Sequence, residues 1–189
     1  MKTSLKIILV LLVATTLITS CSRKKNSFIS RNYHALSARD NALFNGFNAL
    51  EVGRETLNQG YSDNYWDILP IERMQIEEEV TLPGQNKNEN FTRAEEKAVK
   101  AIQKHSIKIN GLQYNRKIDE AYLLLGQARY FDRRFFPAFE AFNFLLESGA
   151  NQNVYLQGKI WREKTNIRLK NYQLAIKNLR PLAMRLISQ

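Results

Sequence analysis

Tyr122-Leu123-Leu124-Leu125-Gly126-Gln127-Ala128 and, past a polar turn, Phe135-Phe136-Pro137-Ala138-Phe139-Glu140-Ala141-Phe142 decide how the chain is read. The spacing predicts two helices back to back, running on to Ser148. In the first, Ala121, Leu125 and Ala128 share one face, and Gly126 lets a second backbone approach closely. In the second, Phe135, Ala138, Phe142 and Leu145 form the facing stripe, with the small Ala138 at the crossing. Asp132-Arg133-Arg134 is the turn between them. Pro137 falls in the first turn of the second helix, where its missing N–H costs little.

An aromatic residue, Leu-Gly, then Ala-x-x-x-Phe is close to the tetratricopeptide pattern. The second-helix stripe also recurs: Phe135, Ala138, Phe142 and Leu145 return as Tyr172, Ala175, Leu179 and Leu182, each 37 residues later. A period near ~34, with extra residues in a connector at Glu147–Asn153, marks a helical array. The first helix of this later pair departs from the pattern, because Arg162-Glu163 stands where Leu-Gly would recur. Ile160, Trp161 and Ile167 are expected to pack in its place, and Pro181 to kink or end the last helix near Arg180. Upstream, Ala98 and Ile102 suggest the second helix of a degenerate first repeat. The expected fold is all-α, with antiparallel helix pairs stacked as a short tetratricopeptide-type superhelix behind a signal peptide and an N-terminal helical extension. Its parts are a signal peptide at 1–20, a tether at 21–29, the extension at 30–82 and the repeats at 90–189.

Met1 to Cys21 stands apart from this fold. Lys2 and Lys6 precede an apolar run from Ile7 to Ile18, too short to span a bilayer, so a signal peptide is the first reading and a transmembrane anchor the second. Ile18-Thr19-Ser20-Cys21 resembles a bacterial lipobox, whose cysteine becomes the lipidated first residue of the mature chain. The chain has a single cysteine, so an internal disulfide is excluded and lipidation accounts for the thiol. With 28 Lys plus Arg against 18 Asp plus Glu the chain is basic. In an exported lipoprotein that charge points to anionic headgroups rather than nucleic acid, above all through Arg23-Lys24-Lys25 beside the anchor.

From Ser30 to Gly60 a long helical stretch carries Leu36, Leu43, Phe47, Leu50 and Leu57, with Ala35, Ala42 and Ala49 seven apart beside them. Gly46 and Gly53 are close-approach points or breaks, and Gly60 is a candidate C-terminal cap. Tyr61 to Pro70 is aromatic and polar, with Asp63 placed to cap a short turn. Its aromatics are expected to pack on the preceding helix, the alternative being a ligand platform. Glu77-Glu78-Glu79 reads as a solvated run, and Leu82 to Asn90 as a hinge. Thr92 and Glu95 suggest a capping box opening the next helix, whose Ala94, Ala98 or Val99, Ile102 and Ile109 line one side.

Catalytic signatures are sparse. His34 and His105 lie in different helices without ligand spacing, and an exposed position is expected for each. Neither a glycine-rich phosphate loop nor a nucleophile elbow is present, and no motif fixes two carboxylates for glycan cleavage. Asn90-Phe91-Thr92 matches a glycosylation acceptor, though the lipobox points to a bacterium. The expectation is a non-enzymatic scaffold without cofactor or metal, whose repeat array offers Tyr122, Arg129, Tyr130 and Trp161 to a protein partner.

Cys21-Ser22-Arg23-Lys24-Lys25, Arg31-Asn32-Tyr33-His34-Ala35-Leu36, Leu43-Phe44-Asn45-Gly46, and Asp63-Asn64-Tyr65-Trp66 through Ile68-Leu69-Pro70-Ile71-Glu72 resemble the tetratricopeptide-repeat lipoprotein of the type IX secretion and gliding-motility machinery of Bacteroidota (the SprE/PorW family). The resemblance implies an outer-membrane lipoprotein facing the periplasm, anchored through Cys21 and bound to protein components of that machinery, with no nucleic acid and no small-molecule substrate. Members of that family are much longer, so the chain is expected to be an N-terminal portion. A glycan-binding lipoprotein of the SusD kind and a generic outer-membrane assembly adaptor are the alternatives.

Overall fold

Seven α-helices and one π turn succeed one another, with a short hairpin in the middle, in the computed structural model, which describes residue 23 and residues 26–66, 68–74 and 88–187. Helix α1 (Phe28–Ser37) passes through a π turn (Ala38–Leu43) into α2 (Phe44–Gly60), and α3 (Glu89–His105) follows. Strands β1 (Lys108–Ile109) and β2 (Leu112–Gln113) pair antiparallel. Helices α4 (Lys117–Phe131), α5 (Phe135–Glu147), α6 (Gln152–Arg168) and α7 (Tyr172–Ile187) complete the order. The described chain is thus all-α apart from the hairpin, and from α2 onward each helix packs on the next.

Small residues set these crossings. A Cβ on Gly126 would lie 2.3 Å from the Phe142 ring, so the expected close approach of α4 and α5 is realised. Gly46 and Gly53 are close-approach points too: a Cβ would meet Leu124 at 2.5 Å from the first and the Phe91 ring at 2.5 Å from the second. Gly158, which the pattern did not single out, does the same for α6, its Cβ position lying 2.7 Å from Leu145. Among the stripe residues Ala138, Phe142 and Leu145 are buried, and Phe135 packs against the same core. Asp132-Arg133-Arg134 makes the expected turn, with Arg133 at φ 60°, and Pro137 sits in the first turn of α5. One apolar cluster runs from Ala42 to Val154, across the expected division between 30–82 and 90–189.

Several expectations give way to local chemistry. Leu36 faces solvent, while Leu43 and Leu50 enter the core. Gly60 is the last helical residue and not a left-handed cap; the chain leaves at Tyr61 in extended geometry. Asn88, not Thr92, caps α3 by accepting from the Asn90 amide at 3.0 Å, which frees Glu95 for the ion pairs described below. On α3 Ala94 and Ala98 are buried as expected, joined by Phe91 and Ala101, but Ile109 lies beyond the helix in β1. That hairpin turns at Asn110-Gly111, both at positive φ, a two-residue turn the sequence reading passed over. Asn115 then joins α3 to α4, its amide donating to the His105 carbonyl at 2.9 Å and its Oδ1 accepting from the Lys117 amide at 3.1 Å.

Helix α6 meets the core through Val154 and Trp161, whereas Ile167 is only half-buried and Ile160 is exposed. Helix α7 neither ends at Arg180 nor stops at Pro181 but continues to Ile187. The carbonyl that Pro181 leaves without its usual donor belongs to Lys177, on a stretch exposed to solvent. Of the recurrent stripe only Ala175 is buried there; Leu179 and Leu182 are half-buried and Tyr172 is exposed. Cys21, Glu77-Glu78-Glu79 and most of the expected hinge lie outside the described residues. Among the described residues no helix is long and apolar enough to cross a membrane.

Candidate functional site

Helices α2, α4 and α6 contribute alternate walls to an open cleft of about 540 Å³. The alternation follows from the order of packing: α3 and α5 lie between these helices in sequence, while α2 touches α4 and α4 touches α6 directly. Phe47 and Leu50 from α2, Leu123 and Phe131 from α4, and Val154 and Trp161 from α6 form the apolar lining. Glu51, Arg54, Glu120 and Gln157 supply polar groups. Arg54 donates to Glu51 at 2.9 Å and lies 5.3 Å from the centroid of the Phe131 ring, so its charge is already partnered on both sides. Apolar walls with amide and mixed-sign edges suit an amphipathic chain, by area burial and hydrogen bonding.

Behind the cleft Tyr130, Phe131, Phe135 and Trp161 pack edge to face, with centroids 5.4 Å apart for Tyr130 and Trp161. Tyr130 is buried and its hydroxyl donates to Glu72. Lys164 Nζ donates to the other oxygen of that carboxylate at 2.7 Å, and Arg168 donates to Glu72 at 3.2 Å and to the Tyr130 hydroxyl at 3.0 Å. Burial disfavours the Glu72 carboxylate, yet the hydrogen bonds from Lys164 and Tyr130 and the nearby Arg168 hold its pKa below the ordinary range. Burial and the Glu72 carboxylate together push the Tyr130 hydroxyl well above its ordinary value. Glu72 belongs to the loop after α2, so one carboxylate straps that loop onto α4 and α6.

The four residues expected to meet a partner do not form one surface. Trp161 lines the cleft. Tyr130 sits behind it without access to solvent, so it holds the aromatic cluster and the strap rather than a partner. Arg129 faces away, donating to Glu95 at 2.8 Å and to the Pro137 carbonyl at 3.2 Å, and Arg134 also pairs with Glu95. Tyr122 stacks on Phe144 with centroids 4.2 Å apart, and burial raises its hydroxyl pKa. Phe47, Leu123 and Phe131 are the cleft residues that the repeat pattern did not nominate. A helical wheel shows Phe47 on the inner face, but only the packing order turns that face into a cleft.

Three other expectations change. Asp63 pairs with Arg73 at 2.8 Å, leaving Asn64 to cap the short turn by accepting from the Trp66 amide at 3.1 Å. The aromatics beyond do not pack on α2: Tyr65 is 80% and Trp66 98% exposed. His34 and His105, expected apart and exposed, come together across α1 and α3 with Nδ1 atoms 3.2 Å apart, and His34 is buried. Burial, the neighbouring His34 and the charges of Lys104, Arg23 and Lys100 lower the His105 pKa. Among the described residues no group of three or more His, Cys, Asp or Glu side chains is placed to hold a metal ion.

Beyond the molecule itself, no protein-family model matches the chain, and no curated protein matches it.

Proposed function

We propose that the protein is a binding scaffold built from three tetratricopeptide-type pairs, α2–α3, α4–α5 and α6–α7, and that its cleft holds an amphipathic segment of a partner protein. The observation that carries this reading is the alternation itself: the first helix of each pair lines the cleft, while the second packs behind. The Gly126–Phe142 contact and the 37-residue recurrence support the same repeat unit.

The lipobox-like Ile18-Thr19-Ser20-Cys21 and the family resemblance extend the proposal. Lipidated at Cys21, the scaffold faces the periplasm from the outer membrane and links components of the type IX secretion and gliding machinery. It has no catalytic role. The test places a photocrosslinking residue at Gln157, on the cleft rim, and recovers adducts from envelope fractions of cells with native Cys21 or Cys21→Ala. Adducts with outer-membrane secretion components, lost in Cys21→Ala, are the expected result. Adducts with glycan-uptake porins or assembly factors would overturn the secretion assignment and leave the scaffold. The exposed Tyr65 and Trp66 favour one second reading, a glycan-binding lipoprotein of the SusD kind. Quenching of Trp66 fluorescence by oligosaccharides, absent in Trp66→Phe, would select it.

A further inference from the structure

Helix α1 is amphipathic the wrong way round for a helix that only supports a core. Its inner face carries Ser30 and His34, both buried, with Ala38 just beyond. Its outer face carries Ile29, Tyr33 and Leu36, at i, i+4 and i+7, which are 72%, 53% and 53% exposed. At 3.6 residues per turn these three side chains fall within about 60° of arc, a stripe rather than a scatter. Buried polar groups on one face and exposed large apolar groups on the other indicate a second surface that covers the outer one.

The position of α1 identifies that surface. The Arg23 side chain donates to the Gln103 carbonyl in the last turn of α3, beside Lys104, and His34 meets His105 at the same end. Phe28, the first residue of α1, is seven residues from Cys21. A chain of that length reaches at most about 25 Å however it runs, so a bilayer holding Cys21 lies within reach of α1. Arg23, Lys24 and Lys25 precede the helix, a basic flank complementary to anionic headgroups. A second exposed aromatic group, Tyr65 and Trp66, follows the far end of α2. Gly53 meets Phe91 near the start of α3, so that end is about one α3 length, roughly 25 Å, from the His34–His105 contact.

We propose that Ile29, Tyr33 and Leu36 lie in the headgroup–acyl interface of an anionic bilayer, with α1 parallel to the membrane plane. This rests on the membrane attachment proposed above. Attached in this way, the scaffold is held by two points, its lipid and a helix face, so that the cleft has a set direction relative to the membrane. A tether alone would leave it free to tumble.

The full chain is produced with its native leader, and single spin labels are placed at residues 29, 33, 36 and, as the comparison, 31. The samples are bound to vesicles of phosphatidylethanolamine and phosphatidylglycerol. The expected result is a several-fold higher ratio of oxygen to nickel-chelate collisions at 29, 33 and 36 than at 31. Mass spectrometry of the same samples reads acylation of Cys21. Acylated protein whose stripe labels are as open to the chelate as residue 31 overturns the interfacial helix and leaves the anchor. A stripe buried in lipid without acylation upholds the helix and overturns lipidation. Stripe labels open to the chelate without acylation overturn both. Dipolar broadening between labels at residue 33 would show a second copy covering the stripe, and would overturn the proposal.

Discussion

The pairs α4–α5 and α6–α7 carry the same stripe at a spacing of 37 residues, yet they build different interiors. In the first, Gly126 seats the Phe142 ring, and Ala138 and Leu145 are buried around it. Helix α4 is buried on nearly every side because α2 and α3 cover one flank and α5 and α6 the other. In the second, Ala175 alone of the stripe is buried and Tyr172 is 52% exposed. The side of α6 toward α7 carries the buried Glu163 and Asn166, with Glu163 accepting from Arg162, Asn166 and Asn178. A stripe in a stack becomes core only where neighbours lie on both sides. Its spacing shows which face packs; its place in the stack determines how much is buried.

The largest expected effect is at the centre of the better-packed pair. Phe142→Ala should lower unfolding free energy by about 3–5 kcal/mol in urea titration, and a loss under about 1 kcal/mol would contradict the packing contrast. Glu72→Gln should cost about 2–3 kcal/mol, because Arg168 is left buried beside a neutral amide. The sign with pH follows from the lowered Glu72 pKa. The folded carboxyl gives up its proton more readily than the unfolded one, so its contribution is present at neutral pH. It is lost as pH falls from the ordinary 4.5 through the lowered value, and the difference from Glu72→Gln should shrink there.

Gly126→Ala should cost about 1–3 kcal/mol through displacement of the Phe142 ring. In a Phe142→Ala background that cost should largely vanish, which a double-mutant cycle reads directly. A smaller, conditional effect belongs to His34 and His105. The His105 pKa is lowered, so the unfolded chain takes up the proton first, and stability drains away as pH falls through 6.5 toward the lowered value. Amide exchange in α1, corrected for intrinsic rates, should quicken between about pH 7.5 and pH 5.5, and His105→Gln should flatten the change. The smallest effect is at the outer pair, where Tyr172→Ala should change stability by less than about 0.5 kcal/mol.

The helix pair at the centre was legible in the sequence because Gly126, Ala138 and Phe142 report a local contact whose spacing is set by helix geometry. The glycines at 46 and 53, seven apart on one helix, were legible as close-approach points or breaks, but not the residues they meet. Less could be read where partners lie far apart in the chain. Nothing around His34 or His105 announces the other, since 71 residues separate them and only the packing of α1 on α3 unites them. The cleft was half visible: Trp161 was anticipated and Phe47 looked like an ordinary stripe residue, while nothing singled out Phe131. Tyr130 was misjudged because a tyrosine after the repeat signature suits a binding surface as well as a core, and the carboxylate that satisfies its hydroxyl is 58 residues away. Glu72 sits in a loop without periodicity, so no pattern marks it.

The Glu72 strap has a consequence for how the molecule comes apart. A stack of helix pairs is nearly one-dimensional, each unit touching only its neighbours, and such stacks can fray from an end. Here a single carboxylate in the loop between α2 and α3, inside the first unit, holds Lys164 and Arg168 of the third, across 92 and 96 residues of chain. It is a next-nearest-neighbour tie. Helix α6 cannot peel away from the stack without releasing that loop, so the strap opposes fraying at α6.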